Sequence, residues 1–189
     1  MSESELTRLS FDQLTPDLRA LLAPRVERLG YLGEFYSVAG HQPEVLAHFY
    51  RFTEALKDAL PWRLTEVVAL TVAARAGNAY ERVQHERLAL KLGMDAVTAR
   101  ALTRGEAEAA AGLDSAEKAA ARLAREMVDS LGQTAADALS ELAESTDEEI
   151  AVGCALLAGR YLAHAAISNA FGLLPPVDSP FAQPAGADA

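Results

Sequence analysis

Cysteine is almost missing: Cys154 is the only one in 189 residues, so no intrachain disulfide can form and no thiol pair can exchange electrons. Positive charge is short as well. Lys and Arg number 17 against 27 Asp and Glu, a formal net charge of −10, which argues against a phosphate-backbone partner and against anionic membrane surfaces. A small anionic substrate stays open, because one local arginine can dominate a site whatever the global charge. No apolar run approaches the ~18 uninterrupted residues of a membrane span, and Met-Ser-Glu-Ser-Glu-Leu at the start lacks a basic stretch followed by an apolar one. The expectation is a soluble, cytoplasmic protein that does not engage membranes. His41, His48, His85 and His164 have no metal-ligand spacing among them, so no metal is expected. No fixed-period repeat is present.

Aromatics make up only 6% of a chain that is 50% hydrophobic and dominated by alanine and leucine, a composition of packed helices. The expected fold class is all-α. The length fits one domain, placed at residues 16–174, with a loosely held segment at 1–15 and a proline-rich, flexible or draped tail at 175–189. Pro16 opens a helix that Pro24 is expected to interrupt near Leu22, and a second helix runs from Tyr31 to Val38. From Pro43, Val45, Leu46, Phe49, Phe52, Leu56 and Leu60 recur at the spacing of a buried stripe. The next helix, from Pro61 to a stop at Gly77, is apolar on nearly every side and should be the central one. Further helices are expected from Asn78 to Gly93, Asp95 to Arg104, Ser115 to Leu131, Thr134 to Ser145 and Thr146 to Phe171.

The chemistry is concentrated between Glu66 and Gly93. Asn78, Glu81 and His85 are spaced by three and then four residues, so they stack along one helix face. A carboxylate and an imidazole so arranged can pass a proton between themselves and a substrate. Glu66 lies near the start of the apolar helix, where partial burial would raise its pKa and a contact with Arg63 would explain it in purely structural terms. Asn78 and Glu81 also have the spacing of a capping box. Tyr80 could donate to a substrate or pack in the core, and Arg82 could hold an anionic group or pair with Glu86 one turn on. Cys154 reads as a small buried hydrophobe and His164 as a satisfied core or interface histidine.

The string from Glu66 through Asn78-Ala-Tyr-Glu81 to His85 and Gly93, with Pro43-Glu-Val-Leu-Ala-His-Phe before it and Ser145-Thr-Asp-Glu-Glu-Ile after it, resembles the carboxymuconolactone decarboxylase and alkylhydroperoxidase-D-like family. That resemblance implies an alkylhydroperoxidase-D-like helical bundle over most of residues 16–174, and assembly as a homo-oligomer, a trimer or hexamer. In the peroxidase branch a Cys-x-x-Cys pair precedes the histidine; Asn78 and Glu81 stand at those positions, so a dithiol peroxidase has no counterpart here. The decarboxylase-like branch implies a cofactor-independent enzyme of a small carboxylated or lactone-type molecule. Glu66 and His85 match the family's acidic residue and histidine; with Glu81 they are the expected catalytic residues, and Asn78, Tyr80 and Arg82 the expected substrate contacts. The alternatives are an inactive oligomeric scaffold of the same fold and a single-thiol peroxidase using Cys154.

Overall fold

A computed structural model describes residues 6–182. Among them there are nine α-helices and no strand: α1 (Pro16–Leu29), α2 (Glu34–Ala39), α3 (Pro43–Ala59), α4 (Trp62–Arg75), α5 (Ala79–Lys91), α6 (Ala96–Arg104), α7 (Ser115–Ser130), α8 (Ala136–Ser145) and α9 (Glu148–Ala170). The starts follow from local chemistry. Thr15, Asn78, Asp95, Asp114 and Asp147 each accept a backbone N–H of the first turn, supplying a partner that the open helix end lacks.

Helix α4 is the axis of the molecule, as its all-round apolarity predicts: ten of its 14 residues, Leu64 through Ala73, are buried. It packs against α5, α6, α7 and α9. Glu117 of α7 ties this body together, because Arg63 of α4 pairs with it while it accepts from the Asp114 backbone at 3.1 Å. By length and composition α9 could cross a membrane, yet here Cys154, Leu157, Ala158 and Tyr161 are core residues of that helix. A second apolar cluster, with Leu18, Leu22, Phe35, Tyr36, Leu46 and Tyr80, forms where α1, α2 and α3 close over α5 and the end of α9.

Between α4 and α5 the chain reverses at Gly77, whose φ of 63° is a left-handed conformation that glycine adopts without cost. The Asn78 N–H then returns to the Ala73 carbonyl at 2.9 Å. This short connection lays α5 back along α4, and so sets Glu81 and His85 beside Glu66.

Three sequence expectations need correction. Helix α1 runs unbroken through Pro24; both Pro24 and Ala20, whose carbonyl loses its helical donor, lie on the exposed side, where water can replace the missing N–H. The following helix begins at Glu34 rather than Tyr31. Residues 6–15 are held rather than loose: the Leu9 N–H donates to Ser37 O at 3.0 Å, the Ser37 hydroxyl donates back to Leu9 O at 2.7 Å, and Leu14 is buried. The early part of the tail is draped over the body by Ser179, which donates to Glu86 at 2.6 Å, and by Phe181 beneath Arg100. Residues 1–5 and 183–189 of the expected end segments lie outside the described residues.

Candidate functional site

Glu66, the fifth residue of α4, is 2% exposed, and its Oε2 lies 2.8 Å from His85 Nδ1 in the second turn of α5. Arg63 is turned away towards Glu117, so His85 and not Arg63 is the countercharge of Glu66. One turn back, Glu81 Oε2 stands 3.6 Å from His85 Nε2, too far for a hydrogen bond but close enough for charge to be felt. The same oxygen lies 2.9 Å from Nδ1 of His164, which α9 brings in from the far side. That contact is electrostatic, because neither ring nitrogen of His164 has a hydrogen-bond partner in line. Tyr161 stacks edge-on against the His85 ring at 5.0 Å and fixes its plane.

These surroundings separate the protonation states. Burial pulls the His85 imidazolium down, but the carboxylates of Glu66 and Glu81 outweigh it and hold the group up at about 9. For Glu81, burial pushes upward and is overcome by His164 and His85, leaving the carboxyl well below its ordinary range. His164 is itself shifted down, by burial first, with Glu81 opposing and Arg160 and His85 assisting. Near neutrality, therefore, the His85 imidazolium is the standing countercharge of Glu81, and His164 is neutral. Two imidazoles share one carboxylate and differ in charge.

These groups line a cavity of about 140 Å³ where α1, α2 and α3 meet α5 and α9. It is smaller than the roughly 300 Å³ at which pockets for drug-sized ligands begin, and suits a small metabolite. Its other wall is cationic: Arg25, Arg28, Lys57 and Arg160 all border it. Arg160 is only 6% exposed, gives its Nε to Thr53 Oγ1 at 2.7 Å and lies over the Tyr161 and Phe49 rings. No carboxylate among the described residues pairs with it. The buried Nε of Arg25 has no partner either. Burial pushes the Lys57 ammonium down; Glu54 opposes, while Arg25 and Arg160 add to the shift. Like charges crowded into a partly desolvated wall are costly unless an anion joins them. A larger groove of about 560 Å³ around Val38, Val45, Leu46 and Phe171 is apolar and, among the described residues, has only His41 as a titratable group, so the chemistry is sought in the smaller cavity.

Of the residues singled out in the sequence, Glu66, Glu81 and His85 converge, with Glu66 behind His85 rather than on the wall. Tyr80 lines the cavity, its hydroxyl accepting from the Phe35 N–H at 3.3 Å, and burial raises its phenol. Asn78 and Arg82 do not line it. Asn78 is 1% exposed, caps α5 by accepting from Glu81 N at 2.7 Å, and spends its amide on Ala165 O at 3.0 Å and Asn169 Oδ1 at 2.9 Å. Arg82 is bound to Glu86 at 2.6 Å. Both are therefore structural. Asn78→Ala is expected to cost about 2 kcal/mol, a lost cap plus a stranded buried carbonyl. Urea unfolding checks this, and a cost under about 0.5 kcal/mol would return the residue to the candidates for substrate contact. Cys154 is buried and burial pushes its thiol up to about 12, which removes the single-thiol peroxidase, since the thiolate is the reactive form.

Sequence reasoning missed His164 as a site residue, and with it Arg160, Arg25, Lys57 and Tyr161. A signal existed for two of them: Arg160 and His164 are a cation and an imidazole in the most apolar helix of the chain. Arg25 and Lys57 carried none, because each sits on an amphipathic helix where a cation is ordinary.

Residues 43–126 match the model of the carboxymuconolactone decarboxylase family, as the motif between Glu66 and Gly93 suggests. No curated protein matches the chain significantly. Solved structures share the fold throughout. The debrominase Bmp8, crystallised as a cysteine-to-alanine variant with 2,3,4-tribromopyrrole, is 18% identical with a TM-score of 0.78, covering 91% of each chain. An alkylhydroperoxidase core, a peroxidase-related protein from Ralstonia eutropha, is 16% identical with a TM-score of 0.78 over 91% of this chain and 93% of its own. A peroxidase-related protein from Silicibacter is 17% identical with a TM-score of 0.77 over 95% and 96%. At these identities the likeness is one of fold: an all-α bundle of the alkylhydroperoxidase-D type.

Proposed function

We propose, for a chain whose residues 43–126 match the carboxymuconolactone decarboxylase family and whose fold is that of the alkylhydroperoxidase-D core, a cofactor-independent enzyme that decarboxylates a small carboxylated or lactone-type anion by proton transfer. The observation that carries this reading is His85, held by Glu66 at 2.8 Å, lining a small cavity that is also bordered by Arg160, whose guanidinium has no carboxylate partner among the described residues. The scissile carboxylate sits towards Glu81, whose charge it escapes by leaving as neutral carbon dioxide. Its C–C electron pair passes into a conjugated carbonyl, and the oxygen that gains the charge is held by Arg160 and Arg25, positioned before the reaction and partly dry. The imidazolium of His85 then delivers its proton to the dienolate carbon and is recharged from solvent. That a fold neighbour was crystallised with tribromopyrrole supports a small ring molecule as the kind of ligand this architecture accepts. Self-assembly belongs to the same reading, with Phe52, Val152 and Leu156 as exposed apolar side chains along one open groove available to a second copy.

Purified protein is expected to release carbon dioxide from a carboxylated γ-lactone. Arg160→Met, which keeps the stem and its packing but removes the charge, should lower kcat/KM by roughly 10²-fold. No release above buffer, together with no rise in melting temperature with the lactone, would leave the inactive scaffold as the reading.

A further inference from the structure

We propose that His164 is a second proton carrier of this cavity, exchanging protons with His85 through the Glu81 carboxylate, and that the site also interconverts the keto and enol forms of a small 2-oxo acid anion. This rests on the reading of the cavity as an anion-binding proton-transfer site, and adds an activity that the decarboxylation does not require.

One oxygen makes the link: Glu81 Oε2 is 2.9 Å from His164 Nδ1 and 3.6 Å from His85 Nε2. His164 is 4% exposed and lines the cavity, yet neither Nδ1 nor Nε2 has a hydrogen-bond partner in line. A histidine kept for packing would give its nitrogens to backbone carbonyls, since an unpaired buried polar group is costly. Nε2 is thus a buried, unpartnered nitrogen on a residue of the cavity wall, placed to accept a proton from a molecule held there. The ring is fixed edge-on by Phe35 at 4.0 Å and by Phe49 at 5.8 Å, so it cannot swing away to find another partner. The charged groups that reach it are Glu81 and His85 from α5 and Arg160 from its own helix, and their sum with burial keeps it neutral while His85 is protonated. Two titratable groups driven apart in this way form an acid and a base.

The step balances without an oxidant or a metal. His164 Nε2 takes a proton from the carbon next to the ketone; the C–H pair becomes the C=C bond, the carbonyl π pair moves to oxygen, and His85 Nε2 gives that oxygen its proton. His164 is then cationic and His85 neutral. The Nδ1 proton of His164 passes to Glu81 and, once Oε2 closes the 3.6 Å to His85 Nε2, on to that nitrogen, which recharges the acid. A solvent proton then returns to Nδ1 by way of Glu81 as Nε2 releases the substrate proton to solvent, which restores the starting tautomer. The cationic wall holds the carboxylate of the 2-oxo acid throughout.

The mechanism requires one tautomer, with the His164 proton on Nδ1 and the lone pair on Nε2. Long-range nitrogen–proton correlation on histidine-labelled full-length protein at pH 7 is expected to show that tautomer, and to lose it in Glu81→Gln. Oxaloacetate is the probe for activity. The wild type should accelerate its enol–keto conversion, and His164→Gln should lower kcat roughly 100-fold with KM changed less than about threefold. An Nε2–H tautomer in the wild type overturns the proposal, and so does equal tautomerisation by His164→Gln. Wild-type protein that releases carbon dioxide from the lactone but leaves oxaloacetate untouched overturns this inference alone; inactivity in both assays removes the decarboxylase reading with it.

Discussion

His85→Gln is expected to lower turnover of the carboxylated lactone roughly 10³-fold, the range a positioned general acid supplies, while the protein stays folded. Glutamine is chosen because its amide can still donate to Glu66, whose 2% exposure leaves it no water to turn to. What glutamine cannot do is deliver a proton to carbon. The pH profile gives the second signature. His85 is held at about 9, so the wild-type rate should hold through neutrality and fall as pH rises through that value, when the acid is lost. Glu81 lies well below its ordinary range, so protonation of this carboxyl should put no acid limb in the ordinary carboxylate range. In the variant the alkaline limb should disappear along with the activity. Turnover in His85→Gln within tenfold of the wild type would remove this residue from the chemistry, and the stopped assay with the lactone decides it.

The second large effect is on stability. Glu66→Gln removes the charge that holds His85 protonated in a buried setting, and the unfolding free energy at pH 7 should fall by about 3 kcal/mol, as expected when one member of a buried ion pair is removed. The sign follows from linkage. His85 is raised in the folded state above its unfolded value of about 6.5, so folding binds the proton more tightly than the unfolded chain does. Its stabilisation is complete below pH 6.5 and is lost as pH rises through about 9. The neighbours act elsewhere on the scale. His164 is shifted down, so its effect appears in acid, below its unfolded value. Glu81, also shifted down, contributes above the ordinary carboxylate range and is lost only in stronger acid. Cys154, pushed up to about 12, weakens the fold only where an unfolded thiol ionises, towards pH 9 and beyond. Denaturant unfolding at several pH values between 6.5 and 9 should therefore show stability falling in the wild type and nearly level in Glu66→Gln. Parallel curves for the two proteins would mean that His85 takes no charge from Glu66.

The helices were largely legible because their boundaries are set locally. Pro43, Gly77, Asn78, Asp95, Gly105 and Asp147 each act within a turn of where they stand. Pro24 misled because a proline in a helix is judged by what its displaced carbonyl meets, and an exposed carbonyl is a tertiary fact. The same division runs through the site. Glu81 and His85 could be placed together from their spacing, since four residues is one turn of one helix. Asn78 has that spacing too, and the structure assigns it to Ala165 and Asn169 of α9, partners far along the chain.

The chain by itself therefore determined an all-α body, a buried α4 and an acid–imidazole pair on the helix after it, because hydrophobic period, caps and one-turn neighbours are short-range properties. Only the tertiary structure decided that His164 and Arg160 of α9, with Arg25 of α1 and Lys57 of α3, close a cavity around that pair. Such a meeting depends on helix crossings set by packing across the whole core. Burial, and the charge state it selects for each imidazole, exists only once those helices have come together.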